Sequence, residues 1–216
     1  MCGRYYIDDV TQQDIEELLL QTGEVLKRQR ESESKDVFPN DKVPVITFDG
    51  RELTKRECIW GFQMDGYKNV LYNARSETAL EKKIFSYDLK HNRCVIPAKY
   101  YYEWDRSKQK YTFSKEDSST LYMAGFIQSR KGYDLHTEKI YQTEQLCPKE
   151  DRFTILTTQA NDSVNRVHDR MPVLLTKEEV KRWIFDDLFL MEVLKRVPHK
   201  LKGNTDMEQL TLFLNL

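Results

Sequence analysis

The sequence has no long hydrophobic run and no closely spaced cysteines. No stretch of about 18 consecutive apolar residues occurs, which excludes a membrane-spanning helix. Arg4 and Asp8 stand where a signal peptide would carry its apolar segment, so we expect no export. The four cysteines are far apart and form no Cys-x-x-Cys pair. That spacing argues against a zinc site and a disulfide framework, and it suits a reducing cytoplasm.

Net charge is also nearly absent, because 34 Lys and Arg residues balance 35 Asp and Glu residues. A DNA-binding surface must therefore be a local basic groove rather than a field over the whole protein. Aromatic residues make up 12% of the chain, which is enough to provide stacking surfaces. The length of 216 residues, with 39% hydrophobic and 32% charged residues, predicts one folded domain that spans residues 1–216.

Short apolar runs between turn residues predict many strands and few helices. Capping patterns and helical spacing predict three helices, from Thr11 to about Arg30, over Thr78–Leu89 and from Thr176 through Ile184. The predicted strands are Val43–Phe48, Glu57–Phe62, Val70–Asn73, Arg93–Ala98, Tyr100–Trp104, Lys110–Phe113, Leu121–Ile127 and Phe153–Thr158. We interpret the charged stretch Arg28–Asp36 as a solvated helix end and loop. Because the pattern lacks βαβ alternation, it predicts an α+β fold with an antiparallel or barrel-like core.

Cys2 is the most informative residue. Met1 precedes a small residue, a position from which methionine is commonly removed, and its loss would leave Cys2 at the terminus. A terminal cysteine carries a thiol and an α-amine on adjacent carbons, with reference pKa values of about 8.5 and about 7.7–8.0. The amine condenses with an aldehyde to an imine, and the thiol then closes a five-membered thiazolidine ring. Taken alone, however, a free cysteine is more often a small buried hydrophobe.

Other candidate residues carry complementary chemistry. Asn73 ends a predicted strand, where its amide can donate to a developing oxyanion. Glu103 lies in an aromatic strand, so its carboxyl group either faces solvent or is desolvated with a raised pKa suited to proton transfer. His168 titrates near neutral pH, while Arg75 and Arg170 offer planar donors to phosphate. Each of these residues, taken singly, is more often structural or at the surface.

The ordered set of motifs is far more specific than any one of them. The set comprises Cys2-Gly3-Arg4, Trp60-Gly61, Asn73-Ala74-Arg75-x-Glu77-Thr78, Arg93-Cys94-x-x-Pro97-Ala98, Tyr102-Glu103-Trp104, Ala124-Gly125, Phe153-Thr154-Ile155-Leu156-Thr157-Thr158-x-Ala160-Asn161 and His168-Asp169-Arg170-Met171-Pro172-Val173. From the first residue to about Trp183, the sequence resembles the SOS-response-associated peptidase family, also called the SRAP domain. The resemblance implies a single α+β domain that senses abasic sites in single-stranded DNA.

In that family the terminal cysteine, freed by removal of the initiator methionine, links covalently to the ring-opened sugar aldehyde and shields the lesion. The resemblance implies that Cys2 is the nucleophile and that Asn73 positions the terminus. It implies that Glu103 manages protons at the imine and in methionine removal, and that His168 helps to open the sugar ring. The positions expected to contact DNA are Arg4, Pro39, Asn40, Arg75, Trp104, Arg170 and Met171.

Two stretches depart from the family pattern. The pattern usually has Gly-Phe before Tyr-Glu-Trp, whereas Tyr100-Tyr101 stand there in this chain. After Trp60-Gly61 the pattern commonly shows Pro and a second Trp within a few residues, whereas Phe62-Gln63-Met64-Asp65-Gly66 follow here. Neither departure touches the expected catalytic set.

Two other functions compete with covalent capture of an abasic site. A thiol peptidase acting on other proteins would also use Cys2, but the sequence specifies no peptide-binding groove. A non-covalent single-strand binder would explain Trp104 and the arginines, but not the coincidence of Cys2, Glu103 and His168. No metal or organic cofactor is implied. We expect single-stranded DNA containing abasic sites as the partner, no membrane contact, a monomer, and a cytoplasmic location that becomes nucleoid-associated on binding.

Overall fold

The structure, a computed structural model, describes residues 2–20, 34–63, 68–128, 132–133, 140–141 and 150–205. Its strands are β1 Tyr5–Ile7, β2 Lys35–Val37, β3 Lys42–Phe48, β4 Leu53–Trp60, β5 Asn73–Arg75, β6 Arg93–Ala98, β7 Tyr100–Trp104, β8 Lys110–Ser114, β9 Leu121–Ile127, β10 Gly132–Tyr133, β11 Ile140–Tyr141, β12 Arg152–Gln159, β13 Arg170–Pro172, β14 Leu174–Leu175 and β15 Lys202–Thr205. Its helices are α1 Asp9–Leu20, α2 Lys83–His91, α3 Glu179–Phe185 and α4 Asp187–Val193. The predicted α+β class is therefore confirmed, with strands dominant.

Three helices correspond to the predicted ones with different ends, α2 beginning at Lys83 rather than Thr78, whereas α4 was not predicted. Asp8, not Thr11, caps α1, because its carboxylate accepts hydrogen bonds from the backbone N–H and the hydroxyl of Thr11 at 2.8 and 2.7 Å. The predicted continuation of this helix to Arg30 lies outside the described residues. In α3 the Glu179 carboxylate accepts from the Thr176 N–H at 3.0 Å, as the capping pattern predicts. No helix in the described ranges is long and apolar enough to cross a membrane.

A five-stranded antiparallel sheet carries the amino terminus, in the order β15-β8-β7-β1-β2. Tyr5 lies opposite Tyr101 in the β1–β7 pair. The N–H of Tyr102 donates to the carbonyl oxygen of Arg4 at 2.9 Å, which extends this pairing beyond the strand. Residues 2–4 therefore run alongside the end of β7, the strand that contains Glu103.

A second sheet of eight strands closes partly into a barrel. Its pairings run from β12 through β4, β3, β6 and β9, and β9 pairs with β12 again. The predicted antiparallel arrangement fails at two points, because β12 is parallel to both β4 and β5. This eight-residue strand is long enough to pair with β4 at its start and with β5 further along the same edge. The barrel-like core is thus present in part.

The two sheets and the helices enclose two clusters of buried side chains. One cluster lies between the sheets and includes Cys2, Tyr5 and Tyr101. The other lies between the eight-stranded sheet and the helices, and Trp183 of α3 anchors it by donating from Nε1 to the carbonyl oxygen of Cys94 at 2.9 Å. The close approach of β9 to β12 requires glycine at position 125, since a Cβ there would lie 2.5 Å from the Thr154 carbonyl oxygen.

Candidate functional site

The first described residue is held in the core rather than at the surface. Cys2 has no exposed surface, and the Nδ2 of Asn73 donates to its carbonyl oxygen at 2.8 Å. Asn73 is itself fixed as the first residue of β5, where it pairs with Ile155 of β12. The thiol of Cys2 lies 3.9 Å from the carbonyl oxygen of Arg4. A residue that would otherwise fray is thus anchored through both backbone and side chain.

The thiol of Cys2 is protonated at neutral pH. Burial raises its pKa well above the usual value, and the carboxylate of Glu103 raises it further. The chain's α-amino group acts in the opposite direction, but it does not offset the burial. The sulfur therefore becomes a strong nucleophile only when a neighbouring group takes up its proton.

Glu103 provides a carboxyl group that titrates near neutral pH. It lies on β7, two residues after Tyr101, and is 3% exposed. Desolvation by burial raises its pKa to about 7, and the charge of Asp169 adds to the shift. The chain's α-amino group opposes both effects. A carboxyl group poised in this way both accepts and donates protons at physiological pH.

His168 lies on the loop before β13, with an imidazole that is neutral at pH 7. Burial is the main cause of its lowered pKa, despite the nearby Asp169 carboxylate. Its Nδ1 accepts a hydrogen bond from the N–H of Arg170 at 3.0 Å and lies 3.1 Å from Asp169 Oδ1. The same ring nitrogen therefore faces both a backbone N–H donor and a carboxylate acceptor.

A polar groove connects His168 to the end of β7. It has a volume of about 980 Å³ and is lined by Trp104, Asp105, Arg106 and Ser107 on one side and by Asn165, Arg166, Val167, His168 and Asp169 on the other. Trp104 is 38% exposed and offers part of its ring face there. Since Glu103 precedes Trp104 and interacts electrostatically with Asp169, the groove adjoins the buried residues around Cys2.

The arginines expected to contact phosphate differ in whether a carboxylate already pairs with them. Arg75 is exposed at the end of β5. Arg170 instead forms a two-pronged ion pair with Glu77, at 2.6 and 2.8 Å, and donates to the carbonyl oxygen of Thr157 at 2.7 Å. This pairing is the main reason why the pKa of Glu77 is lowered. Arg170 must be released from Glu77, at least in part, to contact a phosphate.

Arg4 is similarly engaged, on the outer face of the five-stranded sheet. It pairs with Asp36 of β2, and its guanidinium group lies 4.5 Å from the ring centre of Tyr102. The Tyr102 hydroxyl donates to the same carboxylate at 2.7 Å. The interpretation of Asp36 as part of a solvated loop is therefore wrong, because this residue joins β1, β2 and β7 through one ion pair and one hydrogen bond.

The remaining predicted contacts are divided between surface and core. Pro39 and Asn40 lie in the turn between β2 and β3, where Asn40 is exposed and has a φ of 78°. Met171 is fully buried in the cluster that contains Cys2, and its sulfur accepts from the N–H of Asn161 at 3.4 Å. Met171, expected from the sequence to contact DNA, is therefore a core residue with no exposed surface.

Several residues of the site have no role assigned by sequence reasoning. They are the acidic partners Asp36, Glu77 and Asp169 and the tyrosines Tyr5 and Tyr101. The acidic residues carry one usable signal, because an arginine placed in a partly buried motif requires a carboxylate nearby. The sequence does not say which of the 35 acidic residues supplies it.

Comparison with known sequences decides the family. The family described as SOS response associated peptidase (SRAP) matches residues 1–208. The chain belongs to the SRAP family. Among curated relatives, "Abasic site processing protein YoaM" of Bacillus subtilis (strain 168) is 33% identical over 202 residues, covering 85% of this chain and 79% of the relative. "Abasic site processing protein YoqW" of Bacillus phage SPbeta is also 33% identical, covering 85% and 80%.

Solved structures support the fold. A phage-related protein from Bordetella bronchiseptica superimposes with a TM-score of 0.69 at 22% identity, covering 94% of this chain and 93% of that one. A protein from Bacteroides thetaiotaomicron gives a TM-score of 0.67 at 21% identity, with 94% and 91% covered. At this identity the likeness concerns the fold alone, and it agrees with the arrangement of sheets described above.

Proposed function

We propose that this protein captures abasic sites in single-stranded DNA by forming a thiazolidine crosslink through Cys2 after removal of Met1. The observation that carries the proposal is the hydrogen bond from Asn73 to the carbonyl oxygen of Cys2, which orders the second residue of the chain beside Glu103. An ordered amine and thiol on one residue serve little purpose in binding alone. The curated relatives, named as abasic site processing proteins, support the same reaction class.

The proposed reaction has two stages. First, the α-amine of Cys2 attacks the aldehyde of the ring-opened sugar, and loss of water gives an imine. Glu103, with a pKa of about 7, takes a proton from the amine and returns one to the departing hydroxyl. Second, the sulfur attacks the imine carbon, the imine π electrons move to nitrogen, and nitrogen takes up the proton lost by the thiol. The net change is condensation with release of one water and no redox step.

Two earlier events prepare this reaction. Hydrolysis of the Met1–Cys2 bond exposes the amine, and Glu103 is the group placed to activate the attacking water. Opening of the sugar ring breaks the bond between C1 and the ring oxygen, as the C1 hydroxyl loses a proton and the ring oxygen gains one; His168, which lines the groove, is the group proposed to relay these protons, as a base in its neutral form and as an acid in its protonated form. These roles use one carboxyl group that titrates near pH 7 and one imidazole that lines the groove.

DNA is proposed to enter through the groove lined by Trp104 and His168. A base stacks on the exposed part of Trp104, and Arg75 contacts the phosphate backbone. Since Arg4 and Arg170 are paired with acidic residues, their contribution depends on exchanging a carboxylate for a phosphate. Binding to undamaged single strands is then weak and steeply dependent on salt.

A denaturing gel tests the proposal. Mature protein incubated with a single-stranded oligonucleotide carrying one abasic site is expected to give a shifted band that resists boiling in SDS. The same oligonucleotide without the lesion serves as the control and gives none. A shifted band that disappears on boiling would instead support the non-covalent single-strand binder, and cleavage of added proteins without any band would support the thiol peptidase.

The amino terminus supplies the sharper control. One unprocessed residue added before Cys2 removes the free amine from the reacting position and is expected to abolish the stable adduct. Cys2→Ser keeps the amine but gives only a product that borohydride must trap. The intact mass of the purified native protein should lack Met1. Stable crosslinking by the blocked form, or by Cys2→Ala without reductant, would refute the thiazolidine mechanism.

A further inference from the structure

Two tyrosine hydroxyl groups beside the candidate nucleophile are left without partners. Tyr5 and Tyr101 lie directly opposite each other in the β1–β7 pair, and their exposed fractions are 1% and 0%. Within the described part of the chain, neither hydroxyl has a hydrogen-bond partner. Because a buried polar group without a partner lowers stability, two of them next to a reactive residue point to a role outside the resting fold.

Both hydroxyl groups belong to the surroundings of Cys2. The three side chains share the buried cluster between the sheets. Packing fixes the rings, with Tyr5 5.1 Å from Trp60 and Tyr101 5.4 Å from Phe113 between ring centroids. Burial raises the pKa of both phenols, and a negative charge on Cys2 raises it further. Both groups are therefore protonated donors at neutral pH, within electrostatic reach of the sulfur.

The sulfur of Cys2 lies among groups that disfavour its deprotonated form, which would need hydrogen-bond donors. In the resting state its thiol points toward the carbonyl oxygen of Arg4, an acceptor. The carboxylate of Glu103 is the neighbouring charge, and it too disfavours a thiolate. Once the S–H proton leaves, the sulfur needs hydrogen-bond donors, and the two phenols are donors that lack acceptors.

We infer that the hydroxyl groups of Tyr5 and Tyr101 are positioning groups that donate hydrogen bonds to the Cys2 sulfur as it loses its proton and closes the thiazolidine ring. The inference rests on the proposed function and concerns only its second stage, in which the C–S bond forms and the thiol proton passes to nitrogen. Imine formation does not use the sulfur, so it does not depend on these hydroxyls.

The hydroxyl of Tyr101 can be removed without changing its ring. Tyr101→Phe keeps the ring that packs on Phe113 and deletes only the buried oxygen atom. We expect Tyr5→Phe, Tyr101→Phe and the double variant to fold, with thermal stability equal to or above that of the unsubstituted protein.

The first experiment separates the two stages of the reaction on DNA. Each mature variant is mixed with an abasic single-stranded oligonucleotide, and two rates are measured: imine trapped with borohydride, and SDS-resistant adduct without reductant. The double variant is expected to trap imine at the unsubstituted rate and to form the stable adduct more slowly by about tenfold or more. Tyr122→Phe is the matched control, because Tyr122 is equally buried but lies in the other cluster. It should change neither rate.

A second experiment measures thiazolidine ring closure without DNA. Formaldehyde is a small aldehyde that converts a terminal aminothiol to a thiazolidine, with a net gain of one carbon atom that mass spectrometry locates at Cys2. Slower ring closure in the double variant is expected here as well. Equal ring closure in both assays, or equal slowing of imine trapping, would overturn the role of the hydroxyls. Reaction of the unsubstituted protein with formaldehyde but not with abasic DNA would refute the proposed function and leave the role of the hydroxyls standing.

Discussion

The side-chain amide of Asn73 donates a 2.8 Å hydrogen bond to the carbonyl oxygen of Cys2, across 71 positions of the sequence. This contact ties the start of the chain to a strand that is itself held by β12. The position of the candidate nucleophile is therefore set by the eight-stranded sheet as well as by β1. We therefore expect loss of this hydrogen bond to change both the order of the amino terminus and the rate of adduct formation.

Replacing Asn73 by alanine tests that expectation. The change removes the donor, so the terminus is less well ordered and the stable adduct should form more slowly by about 10²–10³-fold. Quenched gel assays at a fixed concentration of abasic oligonucleotide measure the rate. Asn204→Ala, on the edge strand β15, is the control and should react like the unsubstituted protein. An unchanged rate in Asn73→Ala would mean that β1 alone positions Cys2.

Glu103 makes the stability of the protein depend on pH in an unusual direction. Its pKa is about 7 when folded and about 4.3 when unfolded, so the folded state binds more protons between these values. Its contribution to the free energy of unfolding therefore falls as pH rises from about 4.5 to about 7. Glu103→Gln is expected to match the unsubstituted protein at pH 4 and to be more stable at pH 8, by at most about 4 kcal/mol.

Urea denaturation of both proteins across this pH range provides the measurement. The difference between the two curves isolates Glu103 from other groups, such as His168, that titrate in the same interval. The same variant should form the adduct or lose Met1 more slowly by about 10²–10⁴-fold if Glu103 transfers protons. A constant stability difference across the range would place the carboxyl group in contact with solvent.

The ion pair of Arg170 with Glu77 predicts opposite effects of two substitutions on DNA binding. Glu77→Gln releases Arg170 for phosphate, so affinity for undamaged single strands should rise several-fold and its salt dependence should steepen. Arg75→Ala removes an exposed cation, so affinity should fall for all sequences alike. Fluorescence anisotropy at several salt concentrations measures both. Weaker binding by Glu77→Gln would show that the ion pair itself forms part of the binding surface.

Gly125 provides a prediction about the fold alone. A Cβ at this position would lie 2.5 Å from both the Thr154 carbonyl oxygen and the Ile96 Cδ1. Because the first of these is backbone, β9 and β12 must separate, and Gly125→Ala should lower the free energy of unfolding by about 1–3 kcal/mol. Gly50→Ala is the comparison, since a Cβ there meets no atom within 4 Å and only its positive φ of 105° opposes the change. Thermal and urea denaturation distinguish the two variants.

The strands that were predicted well are those with a continuous apolar or aromatic character. Arg93–Ala98, Tyr100–Trp104 and Leu121–Ile127 have their predicted bounds, because burial on both faces leaves a local signal. Strands β1 and β2, of three residues each, were not predicted. β1 lies between β2 and β7, and both partners are distant from it in sequence, so no local pattern reports the pairing.

The candidate site likewise has some features that the sequence predicts and others that it does not. Cys2, Asn73 and Glu103 follow from motif and chemistry, and the structure brings them together. The sequence does not predict the ion pairs Arg4–Asp36 and Arg170–Glu77, because composition gives the charges but not their contacts. The burial of Met171 has a local signal that its assignment to DNA contact overlooked, because it begins a buried and largely apolar run, 171–175.

The position of β1 between β2 and β7 also governs when the site comes into existence. A ribosome makes Cys2 first, but Asn73 and β7 emerge much later, and the cost of closing so long a loop is met only when the sheets assemble. A nascent or truncated chain that ends before β7 carries the thiol but not its surroundings. Such a chain is therefore expected to lack the ordered terminus on which the proposed crosslink depends.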